Sequence, residues 1–180
     1  DVGVEIKTKT KISKDLSINE LKKQGFSAIL ISVGAHRTRK LGVEGEDLPE
    51  VLEALDFLRH TNDNEQVKIG QHVTIIGGGN VAIDSARTAK RLGAKEVTIL
   101  YRRTKDEMPA NPYEIKEAED EGIKIQFLIA PKRILGQTSH VHGIECLRMK
   151  LGEPDQTGRR APIPIEGSEF TIQTDSVVLA

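Results

Sequence analysis

The residues best suited to chemistry are a glycine run and a cationic pair one strand further along. Val73-Thr74-Ile75-Ile76-Gly77-Gly78-Gly79-Asn80-Val81-Ala82 contains G-x-G-x-x-A, directly after an apolar stretch and directly before a helical one. That spacing has a mechanical reading. Gly77 permits a sharp turn, Gly79 leaves no Cβ where a diphosphate must approach the backbone, and Ala82 is small enough for a helix to pack on a sheet. The first amides of such a helix lack partners within it and, with the helix dipole, favour an anion. A purely structural tight turn uses the same glycines. The strand, helix and second strand around them favour a dinucleotide diphosphate.

The tip of the following strand chooses between nucleotides. A free 2′-hydroxyl is ordinarily met by an Asp or Glu about 20 residues after the glycines. Here Val97-Thr98-Ile99-Leu100-Tyr101 runs into Arg102-Arg103-Thr104-Lys105, with no acid at the tip. Guanidinium groups can grip a 2′-phosphate through paired charge-assisted hydrogen bonds and stack on adenine. The reading is therefore NADPH rather than NADH, with Arg102 and Arg103 as the cations. The bland alternative is a solvated basic loop whose arginines pair with Asp106 and Glu107. Asp84 is open between a satisfied polar residue and one that faces the cofactor.

Positioning these residues requires a sheet. The pattern predicts strand Val73 to Ile76, a helix from Asn80 to Leu92, a stop at Gly93 and strand Glu96 to Tyr101. Asn111, Pro112 and Glu114 supply a cap, a first-turn proline and a capping-box acid for a further helix, which ends at Gly122 before strand Lys124 to Ile129. Upstream, Val4 to Ile12 alternates as a half-exposed strand. Ser17 and Glu20 form a capping box for a short helix stopped at Gly25, and Ala28 to Val33 reads as a buried parallel strand. A basic loop, His36 to Lys40, precedes a helix opened by Pro49 with Val51, Leu52, Leu55 and Leu58 on one face. The polar stretch Thr61 to Gln66 is the candidate domain boundary. Beyond Pro131, strands His142 to Leu151, Glu169 to Gln173 and Ser176 to Leu179 are joined by turns such as Gly158 to Pro164. The expectation is an α/β chain with a parallel sheet, an antiparallel three-stranded excursion and a last strand returning to the main sheet.

Composition narrows the partners. Over 180 residues, 26 Lys plus Arg nearly balance 27 Asp plus Glu, so no global field draws the chain to nucleic acid or to a membrane surface. Apolar runs are far shorter than the roughly 18 residues of a membrane span. No signal segment opens the sequence, and the absent initiating Met suggests an excised piece of a longer protein. The single Cys146 agrees with a reducing, cytoplasmic setting and reads as a small core hydrophobe. It also excludes, for this chain, the cysteine pair that a thioredoxin reductase type of chemistry needs. His140 and His142 alternate on one strand without a clear third ligand, so they read as exposed strand residues rather than a metal site.

The run Gly77 to Asp84 (GGGNVAID), followed by Tyr101 to Ala110 (YRRTKDEMPA) and the acidic helix Glu114 to Ile123, closely resembles the small (β) subunit of NADPH-dependent glutamate synthase. The relatives of that family include the nicotinamide-binding part of dihydropyrimidine dehydrogenase and ferredoxin-NADP transhydrogenase subunits. Val33-Gly34-Ala35 and Gly45-Glu46-Asp47 resemble the family's crossover segment, so the likeness covers nearly the whole chain. It implies a Rossmann-like nicotinamide-binding domain over 67–180, inserted in a flavin domain of which 1–66 is a remnant with the crossover. It also implies a diphosphate at Gly78, Gly79, Asn80 and Val81, and a 2′-phosphate at Arg102 and Arg103 with Lys105 as a secondary candidate. Ala180 would lie near the nicotinamide. FAD would belong to the full-length protein, whose hydride would pass from nicotinamide C4 to flavin N5 and on to an electron-accepting subunit or domain. No acid, base or nucleophile is then required of this chain. The flavin domain's own glycine motif and the family's iron-sulfur cysteines do not occur in these 180 residues. The chain is accordingly expected to be an incomplete, inactive piece of such an enzyme. A module that senses the NADPH/NADP ratio without catalysis is the alternative.

Overall fold

The computed structural model describes residues 3–34, 40–137, 140–156 and 158–180. Its packing divides the chain into two units, 1–35 and 36–180. In the first, helix α1 (Ile18–Lys23) begins at Ser17, whose side chain accepts from the Glu20 amide while Glu20 reaches back to the Ser17 amide. That is the capping box expected. The two strands expected around it do not form: Val4 to Ile12 and Ala28 to Val33 are irregular, and Leu30 is 91% exposed. A strand is completed only by a neighbour that takes its ladder hydrogen bonds, and an apolar run cannot supply one.

The second unit is built on a five-stranded parallel sheet. Its strands are β1 (Val51–Glu53), β2 (His72–Ile76), β3 (Glu96–Tyr101), β4 (Lys124–Phe127) and β9 (Ser176–Leu179), in the order β1-β9-β2-β3-β4. Helices α2 (Ala54–Asn62), α3 (Asn80–Arg91) and α4 (Pro112–Asp120) are the remaining α-helices in the described residues, with a 3-10 turn at Lys105–Glu107. They pack on one face, where Phe57, Ile83, Ala86 and Ile115 meet Val73, Ile75, Val97, Ile99 and Val178. Alternation sends Ile76, Leu100, Val177 and Leu179 to the other face. There an antiparallel layer covers them: β5 (Ile129–Gln137), β6 (His140–Pro154), β7 (Arg160–Pro164) and β8 (Phe170–Gln173), with β6 pairing β5, β7 and β8. With both faces covered, the central strands are mainly apolar, interrupted by the buried Thr74 and Thr98, and each fully buried Ile contributes about 1.5–3 kcal/mol.

Several expectations are corrected. The antiparallel excursion has four strands rather than three: Arg160–Pro164, read as part of a turn, pairs with Met149 to Pro154, and Ile129–Gln137, for which no separate strand was expected, pairs with the first part of β6. The helix expected to open at Pro49 begins at Ala54. Val51–Glu53 is instead a strand beside β9, with Val51 opposite Val177. Helical spacing alone could not separate these, since Val51 also suits a strand. Asn111 does cap α4, its side chain accepting from the Tyr113 amide at 3.0 Å. Glu114 does not close a capping box, and its Oε2 is enclosed without a hydrogen-bond partner among the described residues. Thr61 and Asn62 continue α2, and residues 40–66 pack with the second unit. Of the basic loop, only Lys40 lies within the described residues.

The returning strand matters most. β9 pairs in parallel with β2 on one side and β1 on the other, so the tips of β9, β2 and β3 stand side by side. In open α/β sheets such carboxyl-terminal tips border the ligand crevice.

Candidate dinucleotide site

Each glycine of the run does something different. A Cβ on Gly77 would lie 2.4 Å from the Ala180 carbonyl oxygen, so the absence of a side chain there lets the β9 tip close on β2. The Ala180 amide then donates to the Ile76 carbonyl at 2.9 Å. A Cβ on Gly78 would stand 2.4 Å from two ring carbons of Tyr101. That ring is buried and held by its hydroxyl, which donates to the Glu107 carbonyl at 2.7 Å. Gly79 differs: its nearest neighbour would be Pro109 Cγ at 3.9 Å, so nothing within the protein requires glycine at that place. Gly79 is the N-cap of α3 and has no side chain to cap it. Its carbonyl accepts from Ala82 and Ile83, which leaves the Asn80 and Val81 amides without a partner among the described residues.

A second wall comes from the segment after the strand tip. The Ala110 amide donates to the Gly78 carbonyl at 3.2 Å, and the Asn111 amide donates to Asn80 Oδ1 at 2.9 Å. The segment Glu107 to Asn111 thus braces the glycine loop. Sequence reading noticed its Met108 to Ala110 only as part of the resemblance and assigned them no role.

The strand tips open onto a cleft of about 760 Å³. Gly77, Gly78 and Ala180 line it together with Tyr101, Pro109 and the apolar Leu41, Val43, Ile76, Leu100, Ile129 and Pro131. Its charged lining is cationic: Lys40, Arg102, Arg103 and Arg159, with no carboxylate residue among the described ones. A concave, partly apolar site lined by one sign of charge concentrates an anion.

The cations are not equivalent. Arg102 is exposed and makes no hydrogen bond or ion pair with another described residue. Arg103 is only 3% exposed: its Nε donates to the Arg160 carbonyl at 2.7 Å and its NH2 meets Asp155 at 2.6 Å. Lys105 is not in the cleft lining, and its Nζ donates to both Glu119 carboxylate oxygens at 2.9 and 3.0 Å. Lys40 bonds Asp47 at 2.9 Å while lining the cleft. The pairing of Arg102 or Arg103 with Asp106 and Glu107, weighed from sequence, is not what forms. Glu107 instead takes Arg160, with Nε at 2.7 Å and NH2 at 2.6 Å. The Thr104 hydroxyl, and after it the Arg160 guanidinium, hold the Glu107 carboxyl below its ordinary range against the opposing effect of burial. Asp84 is exposed and does not line the cleft. Cys146 is buried, its thiol pushed up to about 12, so it is no nucleophile. His142 is exposed, and the described residues contain no cluster fit to hold a metal. No helix among them is long and apolar enough to cross a membrane.

With this geometry in hand, the kinship is decided by one match. Residues 2–180 correspond to the pyridine nucleotide-disulphide oxidoreductase family. The chain belongs to that family. Its single buried cysteine cannot form a disulphide within these 180 residues. The NADPH-Fe(3+) oxidoreductase subunit beta of Geobacter sulfurreducens is 45% identical over 183 residues, covering 99% of this chain and 27% of its own length. The NADP(+)-dependent formate dehydrogenase subunit beta of Moorella thermoacetica is 40% identical over 182 residues, with 99% of this chain and 26% of that protein covered. The resemblance to glutamate synthase small subunits holds over the whole chain: the Azospirillum brasilense glutamate synthase [NADPH] small chain is 36% identical over 192 residues, of which it contributes 39% of its length. The chain therefore spans a quarter to two fifths of these relatives. Among solved structures, Mycobacterium tuberculosis FprA in complex with NADPH aligns with a TM-score of 0.74 and 24% identity, covering 93% of this chain and 52% of that one. This supports the same α/β fold, a parallel sheet with an antiparallel layer.

Proposed function

We propose that this chain is the NADPH-binding part of a flavin-dependent oxidoreductase. Residues 67–180 hold the nucleotide, and residues 1–66 belong by descent to the flavin domain and its crossover. The whole protein passes hydride from NADPH to FAD and on to another centre, an electron-accepting subunit or domain. The observation that carries the reading is the open face of Gly79. Gly77 and Gly78 are glycine because protein atoms crowd them, but a Cβ on Gly79, at the start of α3, would make only an ordinary contact with Pro109 Cγ at 3.9 Å. A Cβ there would fill the room that a diphosphate needs.

The Asn80 and Val81 amides donate to the diphosphate, with Gly78 and Gly79 giving the close backbone approach. Arg102, at the β3 tip, meets the 2′-phosphate. Ala180, at the β9 tip, borders the nicotinamide on the far side of β2. Adjacent strands are about 4.8 Å apart, so the β3 and β9 tips stand roughly 10 Å from each other, and a dinucleotide straddling β2 reaches both. NADPH, when bound, supplies the hydride. The chain itself fixes the ring's position, which contributes through proximity rather than through acid-base chemistry. The relatives, named as NADPH- or NADP(+)-dependent redox enzymes, favour this over a sensing module.

Calorimetric titration with NADPH and NADH, repeated on Arg102→Ala, tests the reading. NADPH is expected to bind more tightly, and the substitution to erase the difference. Equal affinity in the unaltered chain, or a preference that survives the substitution, refutes it.

A further inference from the structure

The hairpin between β6 and β7 reaches the strand-tip loop in a way the sequence does not announce. Two ion pairs of opposite polarity join them: Arg103 of the loop to Asp155 of the hairpin at 2.6 Å, and Arg160 of the hairpin to Glu107 of the loop at 2.6 Å. The hairpin is itself tight, with the Asp155 amide donating to the Arg159 carbonyl at 2.7 Å and the Gly158 amide to the Asp155 carbonyl at 2.9 Å. Arg159 lies between the two clamped residues, half-buried, and lines the cleft with Arg102. The Arg160 carbonyl, one residue on, accepts from Arg103, which directly follows Arg102 in the chain. The hairpin backbone therefore meets the strand tip where the nucleotide's adenosine end is assigned.

We propose that Arg159 is a specificity-determining cation for the 2′-phosphate, completing with Arg102 the site that Arg103 helps to position. This rests on the NADPH reading above and departs from the sequence reading, which paired Arg102 with Arg103. A buried guanidinium already paired with a carboxylate and a carbonyl has spent its favourable donors, and turning it toward a ligand would break its bonds to Asp155 and to the Arg160 carbonyl. Arg103 orders the loop and the hairpin instead. Arg159, carried into the same cleft by that clamp, supplies the second positive charge from a different element. A dianionic phosphate is better matched by two cations converging from separate walls than by one. The chemistry recognised is a phosphate ester on the adenosine ribose. Ligands identical but for that ester isolate the effect.

The test is titration of the whole chain with adenosine 2′,5′-bisphosphate and with adenosine 5′-monophosphate, for the unaltered protein, Arg159→Gln and Arg102→Gln. Loss of one charge-assisted contact predicts that Arg159→Gln weakens the bisphosphate about tenfold or more while leaving the monophosphate unchanged. Unchanged monophosphate affinity also shows that the variant is folded. Arg159→Lys, which keeps the charge but loses the fork, is expected to fall between the two. The proposal is overturned if Arg159→Gln binds the bisphosphate as the unaltered chain does, or if it loses both ligands equally. If Arg102→Gln removes the preference and Arg159→Gln does not, this inference fails while the NADPH reading stands. If the unaltered chain does not distinguish the two ligands, both fall.

Discussion

Replacing Gly79 by alanine separates folding from binding. The added methyl meets no protein atom closer than Pro109 Cγ at 3.9 Å, an ordinary contact, and the backbone at φ −92°, ψ 178° is open to any residue. The remaining folding cost is that alanine is a poorer N-cap than glycine, about 0.5–1 kcal/mol. On the proposed reading the methyl takes up room that the diphosphate needs beside the backbone. Displacing a diphosphate there weakens charge-assisted hydrogen bonds worth about 1.5–3 kcal/mol each, so losing one lowers affinity roughly ten- to hundredfold. Gly78→Ala is the control with the opposite profile. Its methyl would overlap the Tyr101 ring at 2.4 Å, and relieving that overlap costs about 1–3 kcal/mol of stability. Urea unfolding with NADPH calorimetry reads both quantities. An intact Gly79→Ala protein that binds NADPH with unchanged affinity would refute the assignment of the glycine loop.

Two further outcomes follow from protonation. Glu107 has a folded-state pKa below its unfolded value, so its contribution to stability is present above about pH 4.3 and is lost as pH falls through the lower folded value. Glu107→Gln is therefore expected to be less stable than the parent at neutral pH and to lose less on acidification, as read from urea midpoints across that window; parallel acid limbs would contradict the pairing. Cys146, buried with its thiol pushed up to about 12, should resist iodoacetamide in the native protein at neutral pH and react once urea exposes it, by mass spectrometry. Native alkylation at the rate of a free thiol would show that burial wrong.

By itself the sequence determined the parts whose causes are local. Glycine spacing, the small Ala82, the Ser17 and Asn111 caps and the mainly apolar strands β2 and β3 depend on backbone conformation and on periodicities within a few residues. They were legible for that reason; the return of Ser176–Leu179 to the main sheet was expected as the simplest reading, but its place between β1 and β2 is set by the fold. Only the tertiary structure decided what each charge does. Arg102 and Arg103 are adjacent and identical in type, yet one is exposed while the other is buried against Asp155, 52 residues away along the chain. Gly77 and Gly78 likewise owe their small size to Ala180 and Tyr101, which no local pattern could name. Val4 to Ile12 and Ala28 to Val33 carry strand patterns without becoming strands, because a ladder is a property of two segments. Side-chain chemistry is written in the chain, but partnership across a fold is set by which distant segments the sheet order brings together.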